Sequence, residues 1–282
     1  MALEGESGDR LQAAVERYRN LSTLNAVPGI RYGFSDRSFR NMSLVWNKDW
    51  PDEDAQKNIN AFAEAAGFDP KQLRTMLPMH GRDIVVLPED DRDGELPNAA
   101  IFITKKPGVV LGLKPADCAP VILSNKNGEF VAMVHAGSKG LEIGVIDAAV
   151  NRLRKMGYDP LEIVAGIGPM AGCYERGHID TDKPEDWLPY VEVPGEPDGV
   201  VVDGHNDKFR IHPKREGDVM WVQLNSVCRA RLEQAGLEAK HISDSGFCTV
   251  CEAEQGKTFS HSVAKRDHKP VGRFLAYVEK KI

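Results

Sequence analysis

The chain has 282 residues, a formal net charge of -6, 41% hydrophobic and 28% charged residues. That length allows one large domain or two small ones, with material for a sizeable core. The negative balance argues against a general nucleic-acid binder, which must neutralise phosphates, and apolar runs of strand length leave no candidate membrane span.

The opening Met1-Ala-Leu-Glu-Gly-Glu is acidic and lacks the basic and apolar regions of a signal peptide. Five scattered cysteines, an odd number, do not resemble a dense disulfide framework. A reducing, cytoplasmic setting is therefore the expectation.

In chain order, Leu11, Val15, Tyr18 and Leu21 at helical spacing predict a helix over 9–21, taken as a peripheral extension covering 1–27. Ile30–Phe34 reads as a strand. A helix is expected over about 53–66, stopped by Gly67. Ile84–Leu87, Ala100–Thr104 and Val109–Leu113 read as strands, with an acidic loop over 88–97 and a Pro107-Gly108 turn. Val121–Ser124 and Phe130–Val134 flank the turn Asn125-Lys-Asn-Gly128 as a hairpin. Next, Leu141, Val145, Ala149 and Leu153 form an i,i+4 row, with Gly157 as its stop. Ile163–Ile167 then completes a β-α-β unit, so a mixed sheet is expected. The Pro-, Gly- and acid-rich 178–217 reads as a surface excursion with one strand-like run, Val200–Asp203. A helix over 218–235 carries Val219, Val222, Val227 and Leu232 and stops at Gly236.

Two residues flank that hairpin. Cys118 lies in Pro115-Ala-Asp-Cys-Ala-Pro120 and His135 in Val134-His-Ala-Gly-Ser-Lys-Gly140. With 125–128 as the loop, Cys118 faces His135 directly. With a two-residue Asn127-Gly128 turn the pair is diagonal but keeps one face. A thiol and an imidazole so placed can share a metal or form a nucleophile–base dyad.

Beside them, the Gly-Ser-Lys-Gly loop can present backbone N–H groups to an anion, helped by Ser138 and Lys139. Equally, Gly137 and Gly140 can serve only to shape a tight turn. His80 offers a third ligand, and two histidines, a cysteine and an open position form the pattern of catalytic zinc. Cys248-Thr-Val-Cys251 could be half a zinc site or a redox pair, but without a second CxxC a packing or turn role is preferred. Cys173 and Cys228 read as ordinary small residues. His241, His261, His268, Arg266 and Arg273 could line a site, although a solvated basic strip is the plainer reading.

Together these segments resemble a known family. Ala116–Pro120 as Ala-Asp-Cys-x-Pro, His135–Leu141 as His-Ala-Gly-x-x-Gly-Leu and Gly168-Pro169 followed by Tyr174-Glu175 stand in order. Cys248-Thr249, Phe259-Ser260 and Gly272-Arg273 complete the series. The chain looks like a member of the laccase-domain or polyphenol-oxidoreductase family, also called peptidoglycan editing factor, over roughly 28–280.

The resemblance implies a single α/β (α+β) domain, 28–282, of layered mixed sheets with flanking helices, a fold compared with cysteine hydrolases of the cytotoxic-necrotizing-factor type. It implies cytoplasmic purine nucleoside phosphorolysis with adenosine deamination as a second activity. It also implies a zinc site at His80, Cys118 and His135. On this reading Cys118, His135 and Asp117 are catalytic, while Ser138, Lys139, Gly140 and Arg273 hold phosphate and substrate. The implied partners are a nucleoside and phosphate, not nucleic acid or membrane, and a homodimer is left open. The laccase label would imply copper, yet eight histidines without a His-x-His pair do not supply a multi-copper set. The chain departs from the family pattern at Ser138 and Lys139 (for Trp-Arg), at Pro78-Met79, at Ala100 and at Ser260–Val263. Two alternatives stand beside phosphorolysis: a metal-free hydrolase with Cys118 as nucleophile and His135 as base, and a diverged, non-catalytic metal-binding protein.

Overall fold

The computed structural model describes residues 8–43, 54–75, 80–87, 98–172, 211–213, 220–222 and 224–281. Helices α1 (Gly8–Glu16) and α2 (Ser22–Asn25) lead into strand β1 (Ile30–Phe34), followed by α3 (Ala55–Ala66), β2 (Leu73–Thr75), β3 (Ile84–Leu87), β4 (Ile101–Thr104) and β5 (Val110–Leu113). The hairpin β6 (Ala119–Asn125) and β7 (Val131–Ala136) precedes α4 (Ser138–Glu142), α5 (Val145–Lys155) and β8 (Ile163–Ile167). Then come β9 (Ile211–Pro213), β10 (Met220–Val222), α6 (Leu224–Gln234), β11 (Ile242–Asp244), α7 (Thr249–Glu254), α8 (His261–Arg266) and β12 (Ala276–Lys280).

Two mixed sheets carry the domain. One has the order β1-β12-β5-β2 and the other β11-β8-β6-β7-β4-β3, while β9 and β10 form a separate pair. Because side chains alternate along a strand, each central strand feeds two cores. Ile122, Val131 and Met133 point into the layer between the sheets with Phe34, Leu111 and Val278. Val121, Leu123, Ala132 and Val134 point the other way, against Val145, Ala149 and Leu153 of α5 and Val227 and Leu232 of α6. On the far face of the smaller sheet, Val110 and Tyr277 pack against Val15 of α1 and Phe62 of α3. The result is α/β/β/α layering. Strands covered on both faces explain the continuous apolar runs of 119–123 and 131–134.

Several elements fall where expected: β1 and β3 have the predicted bounds, and α3 ends on a left-handed Gly67 with φ +77°. The β-α-β unit exists with β6 inserted between its strands, since β6 runs antiparallel to both β7 and β8. The expected row Leu141, Val145, Ala149, Leu153 is buried throughout. Its helix, however, is two helices, broken at a left-handed Gly144 (φ +82°).

Other expectations change. The N-terminal helix stops at Glu16, and the segment taken as peripheral is integral: Tyr18, Leu21 and Leu24 are buried in the layer between the sheets. Apolar spacing reports a buried face but not what covers it. Pro107-Gly108 links β4 and β5 across the two sheets rather than closing a hairpin. Where a helix was expected from 218, residues 220–222 pair with 211–213 as strands, and α6 begins at Leu224. The acidic loop 88–97, the strand-like Val200–Asp203, Val219 and Cys173 lie outside the described residues.

Candidate metal centre

The six-stranded sheet brings its functional residues to one end. β3 and β4 run parallel, β7 and β6 alternate against them, and β8 runs opposite to β6. The starts of β3, β4 and β6 and the ends of β7 and β8 therefore share one edge. His80 stands before β3, Cys118 immediately before β6, and His135 one residue from the end of β7.

The hairpin sets the spacing of the last two. Pro120 pairs with His135 and Ala119 with Ala136, so Cys118 is diagonal to His135 rather than directly opposite. This is the second of the two expected registers, reached by a different turn. Gly128 N–H donates to the Asn125 carbonyl, Gly128 takes φ +68°, and the Glu129 N–H donates to Asn125 Oδ1. The side chain of Asn125 thus closes a loop whose left-handed position only glycine fills without strain.

One ligand atom from each of His80, Cys118 and His135 lies within 4.8 Å of the other two, the one such cluster among the described residues. The two imidazole rings are 5.3 Å apart. His135 is buried, Cys118 half-buried and His80 exposed, so the cluster opens to solvent on the His80 side. The His135 N–H donates to the Ala100 carbonyl at 2.8 Å, which extends the β4–β7 ladder to the ligand itself.

Gly137 is shaped by this cluster. Its backbone is extended (φ -81°, ψ 169°), so no special dihedral demands glycine. A Cβ there would stand 2.7 Å from Cys118 Sγ and 3.2 Å from His80 Cδ2. The loop glycine is a matter of room beside the thiol.

Desolvation pushes the Cys118 thiol up to about 12, with the Asp117 carboxylate adding to the rise and the Arg273 guanidinium opposing it. A thiol so disposed is a poor free nucleophile near neutral pH. A cation is what would draw its proton off, because metal ligation requires the thiolate. A cysteine and two histidines are borderline-soft donors that suit zinc. At zinc's bond lengths tetrahedral ligand atoms lie roughly 3.3–3.6 Å apart, so the trio needs only a small contraction around an ion.

Asp117 is held on every side. Its Oδ1 accepts from Thr249 Oγ1 at 2.7 Å, and its Oδ2 from Ser260 Oγ at 3.0 Å and the Ser262 N–H at 2.7 Å. Its carbonyl accepts from the Ala171 N–H at 2.9 Å. The residue adopts φ +88°, a left-handed conformation that costs a non-glycine residue about 1–3 kcal/mol. These bonds offset that strain and lock the backbone next to Cys118. Thr249, Ser260 and Ser262 are partners of Asp117 that spacing alone did not single out. Their only signal was the recurrence of Cys-Thr and Phe-Ser among the family motifs.

The residues expected to hold an anion are less well gathered. α4 is a helix of five residues at Ser138–Glu142, and Lys139 Nζ is 2.9 Å from Glu142 Oε2 on an exposed surface. Arg273 departs from the solvated strip. Burial pulls its guanidinium below the usual range while Cys118 and Asp117 oppose that pull, and Nη1 donates to the Lys114 carbonyl at 3.3 Å. His241 is buried too, whereas His261, Arg266 and His268 are exposed. Cys228 is an ordinary core residue on α6. A cleft of about 460 Å³, lined by residues including Arg37, Phe259, Ser260, Val263 and Gly272, abuts Asp117 through Ser260.

Known proteins share this chain's sequence pattern and fold. A purine nucleoside phosphorylase of Streptomyces coelicolor is 27% identical over 267 residues, covering 90% of this chain and 97% of its own. One from Xylella fastidiosa is 31% identical over 266 residues, covering 92% and 91%. In fold the chain is similar to YlmD from Geobacillus stearothermophilus, with a TM-score of 0.74 at 24% identity over 91% of this chain and 94% of that one. The sequence pattern of the multi-copper polyphenol oxidoreductase laccase family matches residues 29–281, and the chain belongs to that family.

Proposed function

We propose that the protein is a cytoplasmic, zinc-dependent purine nucleoside phosphorylase, with His80, Cys118 and His135 as the ligands of the ion. The observation that carries this reading is the convergence of three ligand atoms within 4.8 Å beside a glycine that leaves them room. The relatives' names supply the substrate class. Adenosine deamination belongs to the same proposal as a second activity, because a bound zinc supplies Lewis-acid polarisation and a water of lowered pKa.

The chain's own groups have distinct tasks in this reading. His135 is oriented by the β4–β7 ladder, and His80 stands at the solvent-facing mouth. Asp117 is a positioning residue: its carboxylate is fully engaged with Thr249, Ser260 and Ser262, so it holds Cys118 in place rather than exchanging protons with substrate. Arg273 is the preferred anion holder, because it lies close to Cys118 and Asp117 and not in the solvated strip, with Nη1 on the Lys114 carbonyl. Ser138, Lys139 and Gly140 contribute at the rim. The cleft bounded by Phe259 and Ser260 has the volume of a small-molecule site and is the proposed approach for the nucleoside. The metal-free hydrolase reading is disfavoured by the raised Cys118 thiol.

The test is a panel of adenosine, inosine and guanosine, each with and without phosphate, on wild type and Cys118→Ala. Phosphate-dependent release of free base by the wild type, lost together with stoichiometric zinc in the variant, is the expected outcome. Zinc-loaded wild type with neither phosphorolysis nor deamination leaves the non-catalytic metal-binding reading. An active protein free of metal restores the hydrolase.

A further inference from the structure

Cys248-Thr-Val-Cys251 has no part in the centre described so far. Neither sulfur is in a disulfide in this structure. Cys248 is the N-cap of α7 in extended conformation (φ -90°, ψ 116°), and the Glu252 N–H donates to its carbonyl at 2.9 Å, so the motif forms one complete turn. Side chains three apart on a helix have Cβ atoms about 5–6 Å apart, and a disulfide needs about 3.5–4.5 Å. Because the N-cap lies outside the helical dihedrals, Cys248 can make up that difference without unwinding the turn. Access is graded, with Cys248 buried and Cys251 half-buried. The Gly172 N–H donates to Cys248 Sγ at 3.3 Å, a contact that fixes the position of the inner sulfur.

The turn is tied to the metal centre. The Thr249 N–H donates to the Met170 carbonyl at 2.8 Å, while its hydroxyl donates to Asp117 Oδ1 at 2.7 Å, one residue from Cys118. Drawing Cys248 and Cys251 together moves Thr249, one of the two residues between them.

We propose that Cys248 and Cys251 form a redox-active dithiol that a low-molecular-weight disulfide oxidises to an intramolecular disulfide. The thiolate of Cys251, the more accessible sulfur, attacks one sulfur of the small disulfide. That S–S bond breaks and the departing thiolate takes up a proton, leaving a mixed disulfide on Cys251. Cys248 then attacks Cys251 Sγ, forms the Cys248–Cys251 bond and expels the second small thiol. Two protein thiols lose two electrons and two protons, and one small disulfide is reduced to two thiols. Through Thr249 and Asp117, oxidation weakens metal binding at Cys118; this second clause rests on the zinc reading above.

The experiment treats the purified full-length chain with oxidised glutathione and maps cysteines by differential alkylation and peptide mass. A disulfide joining Cys248 to Cys251, reversed by reduced glutathione, is expected, with Cys251→Ser trapping no intramolecular bond. Persistent alkylation of both cysteines, or a bond from Cys248 to any other cysteine, overturns the proposal. The mapping is made on wild type, so it stands even where the variant fails to fold. Zinc affinity of reduced and oxidised protein, measured against a chelator, should differ by about tenfold, the lower end of what lost outer-shell contacts cost. Equal affinities overturn the coupling alone. A reduced protein that binds no zinc refutes the metal centre but leaves the disulfide decided by the mapping.

Discussion

Asp117 and Lys139 are charged residues in the two segments that flank the β6–β7 hairpin at the same end, and they are built in opposite ways. Asp117 is buried, strained at φ +88° and bound by two hydroxyls and an amide from elsewhere in the chain. Lys139 is exposed and paired with Glu142 within its own short helix. The lesson is that the loop beside the candidate metal ligands is preorganised by tertiary structure, while the loop carrying Lys139 is held by a local pair. An exposed pair within one turn is worth a few tenths of a kcal/mol, whereas removing one partner from a buried polar network leaves the others unsatisfied.

The sharpest way to break this contrast is Gly137→Ala. Its Cβ would be driven against Cys118 Sγ, and zinc affinity is expected to fall 10–100-fold, the range seen when a ligand's support is disturbed. Chelator competition reads the loss, and unchanged affinity would show that the loop can retreat from the thiol. Of comparable size is Asp117→Ala, which strands Thr249, Ser260 and the Ser262 amide; about 2–3 kcal/mol of stability should disappear in urea denaturation. Asp117→Asn keeps acceptor capacity on one oxygen and should recover part of it. If both variants unfold like wild type, Asp117 does not anchor the loop.

A third prediction concerns Tyr32, whose hydroxyl donates to Asn25 Oδ1 and accepts the Leu21 N–H, so it fastens the N-terminal segment to the core. Burial raises its phenol from 10.0 to about 12. A raised folded value means that the neutral phenol stabilises the fold fully below pH 10, and that this contribution is lost as pH rises from about 10 to 12. Two units correspond to about 2–3 kcal/mol. Tyr32→Phe should flatten that part of the stability–pH curve, and an unchanged curve would assign the alkaline loss to other groups. The smallest effect belongs to Lys139→Ala. With its ammonium on Glu142, the apparent affinity for phosphate should change less than about fivefold, while Arg273→Gln should change it more. The reverse order would move the anion site to α4.

Much of the fold was legible from periodicity. β1, β3 and β8, the buried row across α4 and α5 and the left-handed stop at Gly67 follow from alternation, helical spacing and glycine. What periodicity could not supply was partnership. β4 and β5 are consecutive strands six residues apart, yet they belong to different sheets. The N-terminal helical stretch reads as peripheral from spacing alone, yet Leu21 and Leu24 lie between those sheets. Met220–Val222 had a spacing that a helix would also satisfy. In each case the hydrophobic pattern names the face that is buried and is silent about what buries it.

The site divides along the same line. Residue types and hairpin counting, with no structure, put Cys118 and His135 on one face to within a choice of two registers, and they nominated His80 as a third member. These inferences work because strand geometry has period two and a short loop leaves few registers open. The register itself was decided by the Asn125 side chain closing the turn on Glu129. The company kept by Asp117 was decided by contacts across 132 to 145 residues of sequence. Local chemistry sets which residues could serve a metal. Only long-range packing, in which buried polar groups must find partners wherever the fold brings them, sets how firmly those residues are held.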